Sequence, residues 1–159
     1  MKILRADKND LREILSLQHL AFQSEAEILN NPEIPPLKQT LAELQSEYEN
    51  QIFLKAIDDA GAIVGSVRYF SEGDTVYIGK LIVKPAVQGR GIGTKLLAEV
   101  EKLCPSKRYE LFTRSNNLRN ISIYERAGYK IFDEKPAMKN LTFAYLEKFQ
   151  SIAMLLTPT

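Results

Sequence analysis

The chain has 159 residues, 45% of them apolar and 26% charged, and its 21 Lys and Arg against 20 Asp and Glu leave a formal net charge of +1. That is enough chain for one domain with a core and too little for two comfortable ones. The balanced charge argues against a protein that coats nucleic acid, no stretch approaches the ~18 apolar residues of a membrane span, and a single cysteine, Cys104, excludes an intramolecular disulfide framework.

The N-terminus, "MKILRADKNDLREIL", interrupts its apolar residues with charges and has no signal-peptide core, so the expectation is a soluble, cytoplasmic protein. "KILRA" reads as a first strand. A helical stripe of Leu11, Ile14, Leu15, Leu17, Ala21 and Phe22 follows. "NNPEIPP", residues 30–36, breaks it, and a second helix carries Leu37, Leu41, Leu44 and Tyr48 on one face. After residue 50 the period changes: "IFLKAI", "AIVGSVRYF" and "TVYIGKLIV" are three strands joined by the turns "DDAG" and "SEGD", an antiparallel meander. A glycine-rich stretch opens a helix with the stripe Leu96, Leu97, Val100 and Leu103. "YELFTR" is a strand, "NNLRNISIYERAGY" a short helix closed by Gly128, and "KIFDE" and "LTFAYLEKF" are the last two strands. The order is β-α-α-β-β-β-α-β-α-β-β, an α/β fold on a mixed sheet of about seven strands with helices on both faces.

The stretch "VKPAVQGRGIGTKLLAEVEKL", 83–103, spaces Gly89, Gly91 and Gly93 two apart directly before a helix. A P-loop is absent, because Gln88 stands five before Gly93 and the order runs Gly93-Thr94-Lys95. A Rossmann fingerprint also fails, since its third glycine would fall on Leu96 or Thr94. These failures weigh against a nucleotide-binding regulator. What the stretch offers is backbone: N–H groups from Gln88 to Thr94 converging on one point, with the helix adding partial positive charge. A pyrophosphate is the natural guest. The alternative is a mobile glycine turn that happens to precede a helix.

Gln88-x-x-Gly91-x-Gly93 resembles the Q/R-x-x-G-x-G/A signature of the GNAT family of N-acetyltransferases. "NNLRNISIYERAGY" is similar to that family's later N-x-x-A-x-x-L-Y-x-x-x-G-F pattern, with Asn117, Ile123, Tyr124, Gly128 and Tyr129 in register and Asn120 where alanine is usual. The resemblance covers residues 50–148 well. It implies a single N-acetyltransferase domain over 1–159 with the acyl-CoA N-acyltransferase fold, its sheet splayed at a β-bulge. Residues 18–50 would be the substrate-side helix–loop–helix, 76–103 the acetyl-CoA-binding strand–loop–helix, and 149–159 a tail. By the same resemblance, Gln88, Gly89, Arg90, Gly91, Ile92, Gly93 and Thr94 hold the pyrophosphate of acetyl-CoA, with Arg90 and Lys95 near its phosphates. Leu81, Ile82 and Val83 offer backbone to the pantetheine arm beyond a bulge at Gly79, and Asn117 and Asn120 also face the cofactor.

Tyr124 is the implied catalytic residue. A phenol of pKa ~10 beside the departing thiolate, pKa ~8.5, can donate a proton to it. Tyr124 also lies three residues from Ile121, so a core aromatic is the alternative, as is an N-cap for Asn116 or Asn117. The family's strand glutamate, which deprotonates the amine, is replaced by Gly79 with Lys80 beside it. Ordered water, Glu25, Glu27 or Glu72 would take over. Tyr69 and Tyr77 are cleft candidates or packing residues. His19 lacks partners at metal spacing and Cys104 lacks a positioned histidine, so no metal and no thiol nucleophile are expected. The run "KRY", 107–109, reads as solvated surface.

The expected reaction is direct acetyl transfer from acetyl-CoA to a primary amine, a small molecule or a peptide amine, in a ternary complex. The alternative is a non-catalytic acyl-CoA-binding module. No nucleic acid or membrane is expected as partner, and the resemblance admits a homodimer.

Overall fold

The computed structural model describes residues 1–150; all of the tail beyond residue 150 lies outside the described residues. Seven strands form one sheet in the order β1-β2-β3-β4-β5-β7-β6. They are β1 (Lys2–Arg5), β2 (Ile52–Ile57), β3 (Ile63–Glu72), β4 (Thr75–Val83), β5 (Arg108–Arg114), β6 (Lys130–Met138) and β7 (Leu141–Phe149). The helices are α1 (Leu11–Leu29), α2 (Pro35–Lys38), α3 (Leu41–Asn50), α4 (Ile92–Leu103) and α5 (Leu118–Arg126). The sheet is mixed: β4 and β5 run parallel across Thr75–Tyr77 and Arg108–Glu110, whereas β1/β2, β5/β7 and β6/β7 are antiparallel.

The chain divides into two compact units, Met1–Arg68 with Lys80–Leu96, and Tyr69–Gly79 with Leu97 onward. The first has a core of Leu11, Ile14 and Leu17 from α1, Leu44 from α3, and Phe53, Ile63 and Ile82 from the strands. Tyr48 closes one side, its ring 5.5 Å from that of Phe53 and its hydroxyl donating to the Ala6 carbonyl at 3.0 Å. Helix α1 ends at Asn30, whose left-handed backbone (φ 50°) supplies the C-cap.

The proline stretch holds more structure than its breakers suggest. Pro35 and Pro36 sit in the first turn of α2, where a missing N–H costs nothing. Leu37 therefore belongs to α2, and the face shared by Leu41, Leu44 and Tyr48 starts only after Thr40. Thr40 opens α3 with a capping box: its hydroxyl accepts from Glu43 N–H at 3.2 Å and Glu43 Oε1 accepts from Thr40 N–H at 3.0 Å.

In the second unit β5 and β7 pair over seven residues, Arg108↔Phe149 to Arg114↔Phe143. Strand β6 extends past "KIFDE" to Met138 through two irregularities, and Pro136 is tolerated because β6 is a sheet edge. The "SEGD" turn shrinks to Gly73–Asp74, with Ser71 and Glu72 inside β3. Tyr109 corrects the surface reading of "KRY": it is fully buried, while Lys107 is exposed.

Candidate functional site

The glycine loop lies in the first unit. After β4, a short 3-10 turn (Pro85–Val87) leads to Gln88, whose side-chain amide donates to the Val83 carbonyl at 3.3 Å and ties the loop back to its strand. Gly89 and Gly91 both have left-handed backbones, φ 81° and 82°, and a Cβ on either would meet nothing within 4 Å. The glycines are thus required by conformation and leave open space over the loop. The first bond of α4 runs from Lys95 N–H to the Gly91 carbonyl at 3.0 Å, so the N–H groups of Ile92, Gly93 and Thr94 have no helical acceptor. These donors and the helix dipole give the loop the chemistry of an anion cradle.

Gly93 is a different kind of glycine. A Cβ there would make ordinary contacts with Leu81 at 3.6 Å and Val83 at 3.8 Å. Ile82 points the other way and is buried in the core. The residue of β4 with left-handed backbone is Lys80, φ 43°, immediately after the glycine expected to mark the bulge.

The second candidate group lies in the other unit, on α5. Asn117 is its N-cap, Oδ1 accepting from Asn120 N–H at 3.1 Å, and Asn120 Nδ2 donates to Thr113 Oγ1 at 3.4 Å. Tyr124 and Ile121 are buried, and the Tyr124 ring lies 6.4 Å from that of Tyr129. Asn117, Asn120 and Tyr124 thus share one helix, with the capping role of Asn117 realised.

A family model matches residues 10–129: the acetyltransferase (GNAT) family. The chain belongs to this family. Among curated proteins it is 28% identical over 131 residues to the UPF0157 protein YqkA of Bacillus subtilis, covering 82% of this chain and 37% of that protein. The chain spans less than half the length of the curated relatives it matches. Solved GNAT structures share the fold. A phosphinothricin acetyltransferase from Sinorhizobium meliloti, in complex with AcCoA, aligns at TM-score 0.76 with 18% identity over 99% of this chain and 92% of its own. The PaiA N-acetyltransferase from Thermoplasma acidophilum, in complex with coenzyme A, aligns at TM-score 0.75 with 18% identity, 94% of this chain and 98% of its own.

In this GNAT chain the carboxylate that the structure brings beside β4 is one the sequence reading missed. Glu47 of α3 lies 3.9 Å from the Lys80 ammonium and is paired with the buried Arg68 of β3. The signal was available: Arg68 is the one cation in a β3 run that is otherwise buried and almost wholly apolar, and such a cation requires a partner. Glu27 and Glu72 are exposed. Tyr69 is buried, and Tyr77 stacks on Phe70 at 5.2 Å. His19 Nε2 is 3.3 Å from the Gln39 carbonyl, and among the described residues no group of three His, Cys, Asp or Glu could hold a metal. Burial pushes the Cys104 thiol up, away from a reactive thiolate. No helix among the described residues is long and apolar enough to cross a membrane.

Proposed function

We propose that the chain binds acetyl-CoA and transfers its acetyl group to a primary amine by direct attack in a ternary complex. The observation that carries this reading is the pair of left-handed glycines, Gly89 and Gly91, with open space above them and the donors of Ile92, Gly93 and Thr94 behind, in a GNAT chain. These N–H groups take the pyrophosphate, and Arg90 and Lys95, both exposed, add cations for the phosphates. Backbone of Leu81–Val83 takes the pantetheine arm as an added strand. Tyr124 donates a proton as the thiolate leaves and regains one, relayed through water, from the amine nitrogen that becomes the amide. Asn117 caps α5, the helix that carries Tyr124, and its side-chain amide and that of Asn120 face the cofactor arm. The acetyl-CoA and coenzyme A complexes of the solved relatives support the same co-substrate.

A second reading, an acyl-CoA-binding module without turnover, has one observation behind it: β4 itself bears no carboxylate.

Thermal melting with acetyl-CoA, followed by thiol release over an amine panel, tests both. Ligand at ~100 times its dissociation constant should stabilise the protein by about 2.7 kcal/mol. Gly93→Asp is the informative variant. Its backbone is not left-handed, its Cβ makes only ordinary contacts, and a carboxylate in a first helical turn is tolerated. The variant should melt no lower than wild type yet lose the acetyl-CoA shift. A folded wild-type protein with no shift would overturn the reading, and a shift without thiol release would favour the binding module.

A further inference from the structure

Within the first unit, polar side chains from four elements converge beside β4. Arg68 of β3 donates from Nη1 to Glu47 of α3 and from Nη2 to Gln18 Oε1 of α1. Gln18 in turn donates from Nε2 to the Pro36 carbonyl and to Gln39 Oε1, each at 2.9 Å. The Arg68 guanidinium stands 4.8 Å from the Phe53 ring centre, and its Nε is buried without an acceptor among the described residues. Lys80 of β4 completes the group, with Nζ 3.9 Å from Glu47 Oε1.

The charges do not balance. Two cations share one carboxylate, and the carboxylate is already in direct contact with Arg68. Lys80 stands at the outer limit of an ion pair. Arg68 is 2% exposed, whereas the side chains of Lys80 and Glu47 are 29% and 30% exposed, so the unbalanced end of the cluster faces outward. Burial pulls the Lys80 ammonium below the usual lysine range and Arg68 pulls it further, with Glu47 opposing. Lys80 also carries a left-handed backbone in mid-strand, a strained conformation for any residue but glycine. A second cation held under strain beside a guanidinium is a poor structural choice, since a neutral side chain would avoid the repulsion. It becomes a good one when a ligand supplies the missing negative charge. Its position fits, because the next three residues are the strand assigned above to the cofactor arm.

We propose that Lys80, backed by Arg68, is the anion subsite for the acyl acceptor: the acceptor is an amine that also carries a carboxylate or comparable anionic group. This rests on the acetyl-transfer reading and deepens it. An anion on Lys80 brings two negative groups to two positive ones and gives Lys80 a charge-assisted hydrogen bond. A polyamine would add cations to a site that already has one in excess, and would be rejected.

The test uses pairs that differ only in that charge: methionine, phenylalanine and glutamate, each against its α-amide, with spermidine as the polycation. Thiol release from acetyl-CoA should favour at least one free acid over its amide by tenfold or more in kcat/KM, although the amide's amine is the less basic one. Lys80→Gln should bring that ratio close to one through KM, and Lys80→Arg should restore it. Both variants should keep the acetyl-CoA melting shift, which separates this proposal from the cofactor reading: loss of the shift in wild type is the failure of that reading, not of the subsite. If no acceptor turns over, calorimetric binding of the same pairs decides, with the free acid at least tenfold tighter. Amides or spermidine preferred by wild type, equal binding of acid and amide, or equal losses for both in Lys80→Gln, would overturn the proposal.

Discussion

Each unit of the molecule buries a charged network, and the two networks differ in whether they close. In the second unit Glu101 of α4 accepts from Lys148 Nζ at 2.7 Å, from the Tyr129 hydroxyl at 3.2 Å and from Gln150 Nε2 at 3.4 Å. One carboxylate meets one ammonium. The neighbouring Tyr109 hydroxyl donates to the Cys104 carbonyl at 2.8 Å and accepts from Ser106 N–H at 3.0 Å. In the first unit Arg68 and Lys80 share Glu47, and Arg68 Nε is left over. A closed network has nothing to gain from a ligand, so it can only serve the fold. An open one stores unmet charge, which is how a binding site looks before its ligand arrives.

The largest effect should come from Arg68. Arg68→Met strips Glu47 and Gln18 of their buried donor, and breaking one partner of a buried pair costs up to about 3–5 kcal/mol. Lys80 remains within reach of Glu47, so the lower end, about 3 kcal/mol by urea unfolding, is expected. A loss under about 1 kcal/mol would mean that Glu47 relaxes into water and that the cluster is not a held arrangement.

Next comes Gly65, in the same unit. A Cβ there would lie 3.0 Å from Ile92 Cγ2, 3.1 Å from Leu96 Cδ1 and 3.3 Å from the Ile82 carbonyl, so this glycine lets the start of α4 sit against β3. Gly65→Ala should cost about 1–3 kcal/mol as overpacking and weaken acetyl-CoA binding by shifting the helix N-terminus. Unchanged unfolding and unchanged melting shift would show that α4 yields without consequence.

The same positions show how far the sequence could be read. Strand period, Gly and Pro punctuation and the Gln88-x-x-Gly91-x-Gly93 spacing are local signals, and they placed seven strands and the glycine loop. Asn117 and Tyr124 were legible as a cap and a buried aromatic because both depend on neighbours three residues away. The open cluster joins Gln18, Glu47, Arg68 and Lys80, which share no local period, and Gly65 matters through a strand carbonyl and a helix well along the chain. Tyr109 was hidden by Lys107 and Arg108, whose charges imply surface while the alternation of β5 turns the tyrosine inward. Nor does any local rule mark Lys80, rather than Gly79, as the left-handed residue.

Lysine deletion separates the two networks more sharply than arginine deletion does. Lys148→Met leaves Glu101 half-buried without its ammonium and should cost about 1–3 kcal/mol. Lys80→Met removes the excess cation and should leave stability unchanged or slightly raised at neutral pH, measured side by side in urea. Equal losses for the two would break the distinction between closed and open.

Comparing wild type with Tyr109→Phe at alkaline pH probes the closed network. Burial, reinforced by Glu101 and Cys104 against the opposing Ser106 hydrogen bond, pushes the Tyr109 phenol up to about 12. Its folded value is raised, so its contribution is intact below the unfolded tyrosine value of about 10 and is lost as pH climbs toward 12. Burial and Glu101 push Tyr129 in the same direction. Tyr109→Phe forfeits the hydroxyl's hydrogen bonds, about 1 kcal/mol at neutral pH. Thermal melting from pH 9 to 12 should therefore show wild type ahead below pH 10 and the variant catching up above it. Parallel curves would mean that the phenol ionises without opening the network.

The effect whose sign matters most lies in the glycine loop. Gly91→Ala places a side chain at φ 82° and should destabilise by about 1–2 kcal/mol. Gly93→Ala, two residues on, enters a helix with ordinary contacts to Leu81 and Val83 and should stabilise by up to about 1 kcal/mol. If the open space over the loop is there for a ligand, the stabilised Gly93→Ala protein should bind acetyl-CoA more weakly, because its new methyl group sits among the N–H donors of the first turn. Higher stability with unchanged affinity would place the phosphates farther from Gly93 and leave the cradle to Gly89 and Gly91. A gain in both would mean that Gly93 is an ordinary helical position, with the glycine requirement confined to the two residues whose backbones are left-handed.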